Sequence, residues 1–136
     1  MIYPISDIPA IGTEAAELLK SAGIRTTARL LDAAKAPKGR KRLAAETGLD
    51  EKHILGWANA ADRMRIKGVG SDYASLLQAA GVDTVKELKY RNPAKLARAL
   101  ADANAQRKLA RVLPSDRAVE RWIEEAKRIP LKITYR

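Results

Sequence analysis

The residues with the clearest chemical potential form a short run, Ile66-Lys67-Gly68-Val69-Gly70-Ser71-Asp72-Tyr73-Ala74, in which two glycines flank one apolar residue and a small residue follows. The glycines allow a tight turn between two helices and close approach of another backbone. Val69 can plug a core, and Ala74 lets the second helix lie near the first. The N–H groups at the start of that second helix have no intrahelical acceptor, and such a start attracts anions. The chain has 26 Lys and Arg against 16 Asp and Glu, a net charge of +10, so the fitting anion is a nucleic-acid phosphate. Gly68, Val69, Gly70 and Ser71 are therefore expected to form a phosphate cradle, with Arg63, Arg65 and Lys67 beside it and Lys38, Arg40, Lys41 and Arg42 as a second contact.

The positive charge is not evenly spread. Lys35 to Arg42 carries five cations and no acid, Arg63 to Lys67 adds three more, and Lys89 to Arg111 has seven cations against Asp102 alone. With so few interleaved aromatic residues, these clusters suit contact with duplex phosphates better than stacking on single-stranded bases. Other chemistries are poorly provided for. Without cysteine there are no disulfides, thiolate metal sites or cysteine nucleophiles, and the single His53 cannot build a multi-histidine metal site. The expectation is a protein without catalysis, cofactor or metal. No stretch approaches the roughly 18 apolar residues of a membrane span. Met1 to Asp7 lacks the pattern of a signal peptide, so a cytoplasmic location is expected, with no membrane partner.

The elements that must position these residues repeat. A shift of 58 positions places Ile8 on Ile66, Ile11 on Val69, Gly12 on Gly70, Leu18-Leu19 on Leu76-Leu77, and Ala22-Gly23-Ile24 on Ala80-Gly81-Val82. Farther along the shift is 65, with Ile54 on Val119, Trp57 on Trp122 and Ala61 on Ala126, so the second copy has gained about seven residues. Ala and Leu dominate the apolar set, Phe is absent, and β-branched or aromatic runs are scarce. The expected fold is all-α, two tandem small helical units, 1–65 and 66–136, packed as one compact body. Thr13 is a candidate cap for a helix ending at Ala22, and Ser71 to Ala80 repeats it. Thr84 to Glu87 reads as a capping box, and Asn92-Pro93 starts another helix. Longer helices close the copies over about Asp50–Arg65 and Ser115–Arg128, where Trp57 and Trp122 recur at core-facing positions and are expected to be buried. The tail Leu131 to Arg136 alternates like a strand but has no evident partner.

Gly68-Val69-Gly70 with Ala74 resembles the helix-hairpin-helix pattern of many DNA-binding and repair proteins. The following Ala80 to Leu88, Asn92 to Leu96 and closing helix look like the small amino-terminal helical domain of archaeal and eukaryotic recombinases, and nearly all of the second copy is covered. The whole chain also resembles a bacterial family of unknown function built from tandem helix-hairpin-helix motifs. The resemblance implies a sequence-nonspecific binder of duplex DNA or structured RNA. Base-excision glycosylases are similar at the hairpin only, and no position maps onto their catalytic Asp: Asp83 belongs to the turn before Thr84, and His53 to a helix surface.

Three residues motivate a second reading. The first copy has Ala10 where the leading glycine should be, and Glu14 and Asp72 stand where a phosphate-binding hairpin carries Lys or Arg. In that reading the hairpins are packing corners, and the chain is an adaptor whose basic segments meet an acidic protein surface. Under either reading the chain is expected to be a monomer or a weak homodimer.

Overall fold

The computed structural model describes residues 2–136, and among them every regular element is helical. The chain divides into two units, the first made of residues 1–62 and 132–136, the second of residues 63–131.

The first unit holds α1 (Gly12–Ser21), α2 (Thr27–Ala34), α3 (Pro37–Thr47) and α4 (Glu51–Arg63), the last of which runs up to the division. Two 3-10 turns, Ile5–Asp7 and Pro9–Ile11, lead into α1. The amino-terminal segment is tied to the start of α2: Ile5 N–H donates to Arg25 carbonyl at 3.1 Å, and Thr27 N–H to Tyr3 carbonyl at 2.8 Å. The carboxy-terminal tail joins this unit through Thr134 N–H, which donates to Lys35 carbonyl at 2.7 Å. Its alternating pattern thus answers to the end of a helix rather than to a sheet.

The second unit holds α5 (Ser71–Ala79), α6 (Val85–Lys89), α7 (Pro93–Arg107) and α8 (Asp116–Arg128). Local side-chain chemistry sets most of these starts. The side chains of Thr26, Thr84, Asn92 and Ser115 each accept a hydrogen bond from the N–H three residues on, and Pro37 and Pro93 occupy the first position of α3 and α7. Thr13 is an exception, because α1 already begins at Gly12 and has no side-chain cap. After α1 and α5 the chain leaves by the same device. Gly23 and Gly81 take φ of 87° and 95°, and Ile24 and Val82 donate back to Leu19 and Leu77, each at 2.9 Å.

Each core is built from the apolar positions that match across the shift. Ile8 and Ile66, Ile11 and Val69, Leu19 and Leu77, Ile54 and Val119, and Trp57 and Trp122 are all buried. One pair parts company: Leu76 is fully buried in a unit where α5 packs against α7, whereas Leu18 is 38% exposed. His53 lies on the surface of α4, its ring 6.0 Å from that of Trp57.

Candidate nucleic-acid interface

The turn from α4 into α5 is closed by backbone bonds. Ile66 N–H donates to Arg63 carbonyl at 3.2 Å and Val69 N–H to Ile66 carbonyl at 3.0 Å. Gly68 adopts φ of 89°, which favours glycine, while a Cβ there would meet Trp122 Nε1 at an ordinary contact distance of 3.4 Å. Val69 is fully buried. With its N–H used inside the turn and its side chain in the core, Val69 shapes the cradle and presents nothing to an anion. Gly70 precedes α5 in extended backbone, and its carbonyl accepts from Ala74 N–H at 2.9 Å to start the helix. The N–H groups of Ser71 and Asp72 lie in the first turn, where the helix offers no acceptor.

The hairpin of the first copy is built differently. No non-glycine residue except Lys108 has positive φ among the described residues, and Ala10 obeys that limit. The left-handed residue moves instead to Gly12, at φ 72°, after a 3-10 turn over Pro9–Ile11. Glu14 stands exposed in the first turn of α1.

The cations around the second hairpin separate into two kinds. Arg63 is only 3% exposed; its Nε donates to Ala74 carbonyl at 3.0 Å and its Nη1 to Asp83 carbonyl at 2.7 Å. Arg65 is half-buried and donates from Nη2 to Pro130 carbonyl at 3.0 Å. Both guanidinium groups bond carbonyls of their own unit, and the buried one of Arg63 must find acceptors for its fixed fork of donors. The side chain of Lys67 is exposed, while its backbone N–H donates to a Glu125 carboxylate oxygen at 2.8 Å. The turn thus already holds one carboxylate of its own chain.

The second predicted cluster divides in the same way. Lys38, Lys41 and Arg42 are exposed on α3 at helical spacing, so they share one face. Arg40 is 4% exposed and turns inward, with Nη1 donating to Ala34 carbonyl at 2.9 Å and Nη2 to Thr134 carbonyl at 2.8 Å. Arg40 and Arg63 are therefore withdrawn from the surface set that their charge suggests. Lys38 lies in the first turn of α3 and works against the positive end of its dipole, so helix stability is not what places it there.

One cation that the hairpin motif did not single out stands at the helix start. Arg111 lines a pocket of about 420 Å³ together with Gly70, Ser71 and Asp72. It comes from the loop between α7 and α8, in the stretch by which the second copy is longer than the first. That added length is the signal in the sequence that could have drawn attention to it. A larger groove of about 830 Å³ runs on the other side of the turn, where Lys67, Arg117, Arg121 and Arg128 are interleaved with Glu120 and Glu124. Among the described residues no group of three His, Cys, Asp or Glu side chains could hold a metal ion, and no helix is long and apolar enough to cross a membrane.

These features define an all-helical, strongly basic protein whose second unit opens a helix start beside an exposed arginine. The chain belongs to the family described as a domain of unknown function (DUF4332), whose model matches residues 9–129. No curated protein and no solved structure matches it.

Proposed function

We propose that this protein is a non-catalytic, cytoplasmic nucleic-acid binder built on helix-hairpin-helix units, and that it grips the backbone of a duplex without reading its sequence. The observation that carries the reading is the pocket at the start of α5, where Gly70, Ser71 and the exposed Arg111 meet beside one carboxylate, Asp72. A helix start supplies N–H donors and a positive dipole end, and Arg111 adds a full charge beside it, while Lys67 lies exposed in the neighbouring groove. The unit itself supports the assignment: residues 63–131 contain 15 Lys and Arg against 8 Asp and Glu, a net +7. Lys38, Lys41 and Arg42 on α3 form the second contact, and Arg40 and Arg63 serve the fold.

Fluorescence anisotropy of a labelled duplex over a range of salt concentrations tests this. With about five phosphates engaged, log affinity should fall against log salt with a slope of about −4 to −5. Absence of binding at low salt, or binding indifferent to salt, removes the proposal.

The carboxylate of Glu125 on the Lys67 N–H favours a second reading, in which the same turn docks an acidic protein surface. Reversing the charge of Lys67 and Arg111 separates the two, since both side chains are exposed and neither is spent on the fold. Lost duplex binding supports the first reading. Unchanged duplex affinity with loss of a co-purifying partner supports the second.

A further inference from the structure

The loop between α7 and α8 has a tip that the hairpin does not explain. Val112 is 71% exposed and its neighbour Leu113 is 44% exposed. The backbone is anchored just before this pair and at Val112 itself. Asn104 clamps Ala110 with two hydrogen bonds: its Nδ2 donates to Ala110 carbonyl at 3.0 Å, and its Oδ1 accepts from Ala110 N–H at 2.9 Å. The Tyr73 hydroxyl donates to Val112 carbonyl at 2.9 Å, and the Tyr73 ring packs 5.3 Å from that of Trp122. Lys108, in the left-handed region at φ 51°, turns the chain out of α7, and Pro114 stiffens the return. Leu113 lines a groove with Tyr73 and Trp122, but Val112 stands largely in water beside it, and an anchored apolar tip of this kind points to a partner.

The surroundings select that partner. Between Asp102 and Asp116 there is no acid, while Arg107, Lys108 and Arg111 are all exposed. Arg111 and Val112 also line the same pocket as Gly70 and Ser71 at the start of α5. Asp72 shares that pocket, and the groove beneath Val112 and Leu113 mixes Arg117 and Arg121 with Glu120 and Glu124, so the cations of the tip are those of its own loop. An apolar tip flanked by Arg107, Lys108 and Arg111 is complementary to the minor groove of duplex DNA. The groove is walled by phosphates, and a branched apolar side chain can part its base steps. An apolar protein patch would accept the tip but leave the cations without anions.

We propose that Val112 and Leu113 form a wedge that enters the minor groove and partly unstacks a base step, while Arg107, Lys108 and Arg111 hold the flanking phosphates. This inference rests on the nucleic-acid reading above, and its test is chosen to fail separately. The probe is a DNA duplex carrying 2-aminopurine, titrated with the full-length protein and with the double variant Val112→Ser, Leu113→Ser. Thermal melting by circular dichroism checks that the variant keeps its fold, as expected for two exposed positions. Binding of the unaltered protein should raise 2-aminopurine fluorescence. The variant should lose that rise and bind about tenfold more weakly with the same salt slope, because its cations remain. No rise with the unaltered protein, or a variant equal to it in affinity and fluorescence, overturns the wedge and leaves backbone binding standing. No duplex binding at all overturns both. Binding to phosphatidylserine vesicles that depends on Val112 and Leu113, without any 2-aminopurine response, overturns the wedge in favour of a lipid surface.

Discussion

Arg40 shows how a single side chain can carry a charge without offering it to a partner. Its guanidinium donates to the carbonyls of Ala34 and Thr134 and lies 5.9 Å from the centre of the Tyr135 ring, so it links the end of α2, the start of α3 and the tail. Replacing it with Ala leaves two carbonyls without their donor, and stability should fall by about 2–3 kcal/mol in urea denaturation. Arg40→Lys should recover little, because a lone ammonium cannot span both acceptors. Duplex affinity at low salt should stay near that of the unaltered protein. If affinity drops while the denaturation midpoint holds, Arg40 is a surface contact after all. In the sequence, Lys38-Gly39-Arg40-Lys41-Arg42 reads as one charged patch because residue type reports charge, not register. The register was nonetheless available: Arg40 stands three residues before Leu43, the apolar residue of α3 that is buried, and so shares its inward face. Arg63 hides in the same way, at the end of a closing helix whose apolar spacing already points inward.

At the scale of elements, the two copies solve one problem by different means. In the first, Arg25 carbonyl accepts from a backbone N–H, that of Ile5; in the second, the matching Asp83 carbonyl accepts from the side chain of Arg63. Arg63 sits at the end of α4, so its backbone is committed to a helix and its side chain takes over the bond. Helix starts were legible because capping is local: Thr84, Asn92 and Ser115 act within three residues of themselves. The meeting of α2 and α3 was not, because it depends on a close approach across the turn. A Cβ on Gly39 would overlap the carbonyl oxygen of Ala33. Helix propensity alone gives Gly39→Ala a gain of about 1 kcal/mol, whereas overlap with a backbone atom costs about 1–3 kcal/mol. The overlap should win, lowering the melting temperature. A rise would mean that the α2–α3 turn relaxes at little cost.

For the whole molecule, the surplus of +10 can act in two ways, as a diffuse field or through particular contacts. The units share it unequally. Residues 63–131 hold a net +7, and the remainder, with 11 Lys and Arg against 8 Asp and Glu, holds +3. Three triple variants to Gln, each lowering the net charge from +10 to +7, separate the two modes. The first neutralises Arg107, Lys108 and Arg111 around the exposed loop, and the second Lys38, Lys41 and Arg42 on α3. The third neutralises Lys20, Arg25 and Arg29, which lie outside both contacts; Lys20 already pairs with Glu17 at 3.8 Å. A diffuse field responds to total charge, so all three variants would weaken duplex binding alike. Contacts respond to position, because each phosphate neutralised releases counterions of its own. The first two variants should each flatten the salt slope by about 2 to 3, and the third should leave it unchanged. Equal, shallow losses in all three would show that the surplus only concentrates the protein near polyanions and that neither cluster grips a backbone.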